Sequence, residues 1–234
     1  MIAVRSWNDM TECRMGVIFD VDGVLVNSYR AHFESWRQAV RNRGLDMTED
    51  DFARTFGRTS REIIHQLWPG QFDAAWVAAL DEEKESAYRA ILRKDFPEMP
   101  GASDLIQALH DAGFALAIGS SGPPENVELV RKTIRHGEVI NAIVNGKDVK
   151  RGKPDPEVFI VAAKKLGLDP KKCAVVEDAP VGVLAAKRSG AVPIALTGTA
   201  RRETLTESAR IVIDSLRELT PSIIRDLIAE HQGR

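Results

Sequence analysis

A chain of 234 residues has room for one large domain or two unequal ones. Its 32 basic and 34 acidic side chains leave a net charge of −2, which excludes a general attraction to nucleic acid or to an anionic membrane surface. The 44% hydrophobic and 28% charged fractions are those of an ordinary globular protein, and no apolar run is long enough to span a bilayer.

The first segment, Met1 to Arg14, lacks the apolar stretch of a signal peptide. Cys13 lies in this polar leader and Cys173 opens an apolar run. Two such cysteines make no disulfide framework, and a reducing cytoplasm is the expected setting.

The first predicted strand starts at Gly16 and ends in Asp20, Val21, Asp22 and Gly23. Side chains alternate along a strand, so Asp20 and Asp22 can leave its end on the same side, and Gly23 lets the backbone turn beyond them. Two converging carboxylates repel each other unless a positive charge sits between them. Hard oxygen ligands favour Mg²⁺, and a metal-assisted carboxylate nucleophile suits phosphoryl transfer. The same four residues can also end a buried strand by capping backbone amides, and alone they do not separate the two readings.

From Ser28 to Phe96 the pattern is helical throughout. Ser28 or a near neighbour is expected to cap a helix running to Arg43, with Gly44 as its stop. Thr59 and Glu62 have the spacing of a capping box, opening a short helix through Ile63, Ile64 and Leu67 that ends at Pro69-Gly70. A longer amphipathic helix covers Ala74 to Arg93. Trp36, Trp68 and Trp76 fall at helical spacing among apolar neighbours and read as the core of this block.

After Gly101 helices and strands alternate. Helices are expected over Ser103–Ala112, from an Asp155-Pro156 start to Gly167, over Pro180–Ser189 and over Leu216–Glu230. Strands are expected at Phe114–Gly119, Ala142–Asn145, Cys173–Glu177, Val192–Leu196 and Arg210–Ile213. This alternation predicts an α/β fold, a Rossmann-like, mostly parallel sheet covered on both faces. The helical block interrupts it after the first strand. We therefore expect a catalytic core of residues 1–28 and 97–234 with an inserted helical cap of residues 29–96.

Reactive groups in open α/β sheets lie beyond the carboxyl ends of the strands. The second strand is followed by Ser120-Ser121-Gly122, whose hydroxyls and amides can bind phosphate oxygens or form an ordinary turn. The third leads to Gly152-Lys153-Pro154, a lysine held between two conformationally special residues just before a helix. The fourth delivers Glu177 and Asp178, an acid pair that can cap the next helix or complete an oxygen-rich cation site.

With these pieces in this order, the chain resembles the haloacid dehalogenase superfamily of aspartate-nucleophile phosphohydrolases. The similarity rests on Asp20-Val-Asp22-Gly-Val, Ser120-Ser-Gly, Gly152-Lys-Pro-Asp-Pro and Glu177-Asp178 followed by Gly182 and Ala185-Ala186. The block after the first motif looks like the small helical cap of phosphoglycolate-phosphatase-like and β-phosphoglucomutase-like members. The resemblance implies that Asp20 is the nucleophile and Asp22 the general acid and then base, with its backbone carbonyl a Mg²⁺ ligand. It makes Asp20 and Asp178 further ligands and Glu177 a direct or indirect one. Ser120, Ser121 and Gly122 would hold the phosphoryl group, and Lys153 would offset charge around Asp20.

Gly57, Arg58 and Arg61 look like the cap loop that faces substrate in this family, an arginine there gripping a second anionic group, or else the solvated start of a helix. His32 matches in spacing a histidine of the mutase-like members, and is otherwise a surface or interdomain side chain. Lys84 and Tyr88 are weaker candidates. The expected function is a Mg²⁺-dependent phosphatase of a small phosphomonoester, of the sugar or polyol phosphate class, acting through an aspartyl phosphate. The alternatives are a β-phosphoglucomutase-like phosphomutase and a catalytically silent binding domain. A monomer or small homo-oligomer with no nucleic-acid or membrane partner is expected.

Overall fold

Short runs of β-branched and small apolar residues with no internal alternation form strands buried on both faces. The computed structural model describes residues 14–55, 60–70 and 72–233. Among these residues six strands form one parallel sheet: β1 (Gly16–Phe19), β2 (Ala115–Gly119), β3 (Ala142–Val144), β4 (Cys173–Glu177), β5 (Val192–Leu196) and β6 (Ile211–Ile213), in the order β3-β2-β1-β4-β5-β6. Every residue of β1, β2, β4 and β5 is buried. The expected α/β sheet is the one observed. Its order reverses between β1 and β4, which opens a crevice beyond their carboxyl ends.

The chain divides into two compact units, one up to Asn27 and again from Glu98, the other Ser28–Pro97. Val26 bridges to Glu98, and the Met99 amide donates to the Leu25 carbonyl at 3.1 Å. The chain therefore leaves and re-enters the core along adjacent backbones.

The inserted unit carries α1 (Tyr29–Arg41), α2 (Glu49–Thr55), α3 (Ser60–Leu67) and α4 (Ala74–Lys94). Phe33, Trp36, Val40, Met47, Phe52, Ile63, Ile64 and Leu80 form its centre, with Trp68 and Trp76 packed against them. The Asp73 carboxylate caps α4 by accepting from the Trp76 amide at 2.7 Å. Ser28 makes no such cap: its hydroxyl is buried and its residue is already helical in backbone. Thr59, the expected cap of α3, lies outside the described residues.

The core helices are α5 (Ala102–Asp111), α6 (Pro124–Thr133), α7 (Glu157–Lys165), α8 (Pro180–Ser189), α9 (Arg202–Thr206) and α10 (Pro221–Gln232). Helices α2, α6 and α9 add to the expected elements. α7 starts later than Asp155-Pro156 suggests, because the Asp155 carboxylate accepts from the Glu157 amide at 3.1 Å and holds the preceding turn apart. The last helix also starts late. A 3-10 turn over Leu216–Glu218, closed by a Ser215–Glu218 capping box, precedes it, and Thr220 then caps α10.

Candidate active site

Parallel register aligns the strand ends. Phe19 pairs with Ile118 of β2 and Val176 of β4, and the Asp20 amide still donates to the Val176 carbonyl at 3.0 Å. Asp20 thus leaves the sheet level with Glu177. The chain then turns tightly, the Gly23 amide donating to the Val26 carbonyl at 2.8 Å. Gly23 has φ +76°, and a Cβ on it would overlap the Asp178 carboxylate. Both the left-handed backbone and the close approach require glycine there.

Lys153 reaches this point from the loop before α7. Its Nζ lies 2.6 Å from Asp20 Oδ1 and 2.5 Å from Glu177 Oε1. It also sits 5.0 Å from the centre of the Phe159 ring. The Glu177 Oε2 accepts from the Ala179 amide at 2.7 Å, at the start of α8. A Cβ on Gly182, one turn into α8, would overlap the Glu177 carboxylate, so this glycine makes the seat for it. Asp178 Oδ2 accepts a hydrogen bond from the Thr199 hydroxyl.

One oxygen from each of Asp20, Glu177 and Asp178 lies within 4.8 Å of the others, and all three residues are buried. Among the described residues, Lys153 brings an ammonium to two of these carboxylates, Asp20 and Glu177. Burial, reinforced by the charges of Glu177 and Asp22 against the pull of Lys153, pushes the Asp20 carboxyl up to about 7. Asp178 is also raised, first by burial and then by Glu177 and Asp20, against the Thr199 hydrogen bond and Lys153. Burial works to lower Lys153, but its two carboxylate partners outweigh it and hold the ammonium charged. Three carboxylates thus stand beside a single lysine. A hard, oxygen-seeking divalent cation fits that donor set.

Ser120 follows β2, next to β1 in the sheet, and is buried. Its amide is committed to the Val144 carbonyl at 3.0 Å, and its Oγ accepts from the Gly122 amide at 3.0 Å. Of the two readings of this loop, phosphate binding or an ordinary turn, the amides of Ser120 and Gly122 follow the second: both hold the loop itself. The Ser120 hydroxyl proton remains able to donate. The Gly146 amide anchors the loop by donating to the Gly122 carbonyl at 2.8 Å, a support that no sequence pattern marked.

The remaining candidates lie in the inserted unit. His32 stacks on Tyr88, ring centres 4.2 Å apart. Lys84 is buried, bonded to Glu85 at 2.6 Å, with its Nζ 5.6 Å from the Tyr88 ring centre. Arg61 is exposed on the first turn of α3 and, with His65, Phe72 and Asp81, lines a cavity of about 280 Å³. Gly57 and Arg58 lie outside the described residues.

Three comparisons place this geometry among known proteins. The chain is 34% identical over 209 residues to validoxylamine A 7′-phosphate phosphatase of Streptomyces hygroscopicus subsp. limoneus, covering 86% of this chain and 94% of that one. It is 33% identical over 205 residues to hexitol phosphatase A of Escherichia coli strain K12, covering 88% and 93%. The crystal structure of a HAD hydrolase, family IA, variant 3, from Entamoeba histolytica superposes with a TM-score of 0.82 at 29% identity, covering 92% of this chain and 99% of that one. The family model described as haloacid dehalogenase-like hydrolase matches residues 15–190, a span that opens at β1 and closes just past α8, and this chain belongs to that family.

Proposed function

We propose that the chain is a Mg²⁺-dependent phosphatase of small phosphorylated sugars or polyols that works through an aspartyl phosphate on Asp20. The observation that carries this reading is the pairing of Asp20 with Lys153 at 2.6 Å, beside two more buried carboxylates at the β1/β4 reversal. Lys153 donates to Asp20 Oδ1 and orients the carboxylate for attack. Attack forms the Asp20–phosphorus bond and breaks the bond to the substrate alcohol. Asp22 gives that alcohol its proton, then takes one from the water that cleaves the aspartyl phosphate. The Ser120 hydroxyl donates to a phosphoryl oxygen, and Lys153 offsets the charge gathering between anionic nucleophile and anionic substrate.

Asp20, Asp178 and the Asp22 backbone carbonyl would hold Mg²⁺. When bound, it supplies charge neutralisation and orients the phosphoryl group. Both oxygens of Glu177 are already engaged, one by Lys153 and one by the Ala179 amide, so we assign Glu177 to fixing Lys153. Water as the final acceptor is supported by the two relatives above, both named as phosphatases. A reducing cytoplasmic setting agrees with the free, buried thiol of Cys173.

The test is phosphate release from a panel of hexose, hexitol and polyol monophosphates, with and without Mg²⁺. Release from several of them that stops on chelation and returns with Mg²⁺ is expected. Full activity after exhaustive metal removal would overturn the cation's role. Glucose 6-phosphate accumulating from β-glucose 1-phosphate and a trace of bisphosphate, with little free phosphate, would replace hydrolysis by transfer.

A further inference from the structure

We propose that Thr199, in the loop between β5 and α9, is a positioning residue that presents Asp178 to the cation. The inference rests on the function argued above and extends it to a side chain outside the four strand-end motifs. The Thr199 hydroxyl donates to Asp178 Oδ2 across 21 residues of chain. A carboxylate has two oxygens, and engaging Oδ2 from one side leaves Oδ1 for a metal, with rotation about the last side-chain bond stopped. The Gly23 turn lies on the same oxygen: a Cβ built on Gly23 would overlap Asp178 Oδ2 and stand 3.1 Å from Thr199 Oγ1. Thr199, Asp178 and the Asp20-Val-Asp22-Gly23 turn are therefore three layers of one packed arrangement.

The loop that carries Thr199 is itself held on both sides. Before it, the Thr197 amide donates to the Ile213 carbonyl at 2.9 Å and the Thr197 hydroxyl to Asp214 at 2.8 Å. After it, Arg202 donates to the Val212 carbonyl at 2.9 Å and pairs with Asp214 at 2.7 Å. A hydroxyl on an anchored loop is placed before any cation arrives. Thr199 is exposed, so its role is in orientation and not in core packing.

The experiment titrates Mg²⁺ into the metal-free full-length protein by calorimetry, for wild type, Thr199→Val, Thr199→Ser and Asp178→Asn, with melting temperatures measured before metal is added. Thr199→Val keeps the shape and removes the donor; it is expected to weaken Mg²⁺ binding about 10- to 100-fold. Its metal-free melting temperature should stay within about 2 °C of wild type, as for a surface substitution. Thr199→Ser keeps the hydroxyl and should bind within about threefold of wild type. The Mg²⁺ concentration for half-maximal turnover should move in parallel. Wild-type affinity in Thr199→Val, or a Thr199→Ser protein as weak as Thr199→Val, would overturn the proposal. If Thr199→Val does not fold, Thr199→Ala against Thr199→Ser makes the same comparison. Wild type that binds no Mg²⁺, like Asp178→Asn, would instead remove the cation-dependent function and this proposal with it.

Discussion

In the core unit, residues that touch come from far apart in the chain: Val17 of β1 pairs with Leu116 on one side and Ala174 on the other. In the inserted unit, four successive helices bury single stripes around Phe33, Trp36 and Phe52, all within one stretch of chain. The core holds its polar groups at strand ends, where a half-buried lysine is bonded to two buried carboxylates, Asp20 and Glu177, beside a third, Asp178. The inserted unit keeps its candidate substrate residue Arg61 exposed on a helix. The comparison teaches that the buried charged cluster lies where backbone geometry is over-determined, while the inserted unit leaves its charged side chains on a surface that can vary without disturbing its core.

The largest expected effect strikes the core's chemistry without its stability. Asp20→Asn should lower kcat/KM by about 10⁴ or more, because an amide cannot form the aspartyl phosphate, while near-equal size preserves the fold. Circular dichroism and phosphate release on the same sample check this. A well-folded variant retaining a few per cent of the rate would remove Asp20 from the nucleophile's role.

Phe52→Ala should strike the other unit's stability instead. Phe52 is 1% exposed at the centre of the aromatic cluster. Its truncation should cost about 3–5 kcal/mol in urea denaturation. Mg²⁺ affinity should remain within about twofold of wild type. A large fall in Mg²⁺ affinity at temperatures where the variant is folded would break the division between the units.

Cys173 tests the rigidity of the core away from the site. Burial, with the Asp169 charge adding to it, pushes the thiol up to about 12. At pH 8 it should alkylate at least about 100-fold more slowly than a free cysteine, as read by peptide mass spectrometry. The unfolded thiol titrates near 9.0. The contribution of the protonated thiol is therefore complete below pH 9 and is lost as the pH rises towards 12. Denaturation midpoints should accordingly decline through that window. Rapid labelling in the native state would show the β4 end of the sheet to be open.

The smallest effect belongs to Arg61. Arg61→Ala should raise KM for a sugar phosphate about tenfold and leave the rate on an aryl phosphate unchanged, since only the former offers polar groups beyond the transferred phosphoryl. Equal losses on both substrates would assign Arg61 a structural role.

Much of this was legible before any coordinates. The strand before Asp20, the Gly190 stop of α8 and the long helix opening at Ala74 follow from local pattern, because a short continuous apolar run, a one-faced apolar stripe and backbone-special residues each leave a direct mark on sequence. Ser28 misled, since its burial by tertiary packing overrode its preference for capping. Asp155 misled by one residue, because a side chain that accepts from the backbone can hold a turn as easily as a helix start. The Ser120 loop could be read either as phosphate-binding amides or as an ordinary turn. Which amides are consumed depends on Val144 and Gly146, which arrive from the neighbouring strand and its loop.

The sequence by itself determined the alternation of strands and helices, the helical insertion after the first strand, and the identity of the acidic and basic groups at four strand ends. These depend on neighbours a few residues away, and periodicity records them. Only the tertiary structure decided that β1 lies between β2 and β4, that Lys153 meets Asp20 from 133 residues away, and that Thr199 closes on Asp178. Parallel pairing joins strands through crossovers whose apolar patterns are nearly interchangeable. A single threonine in a polar loop has no periodicity to betray its partner, so these contacts are fixed by packing in three dimensions.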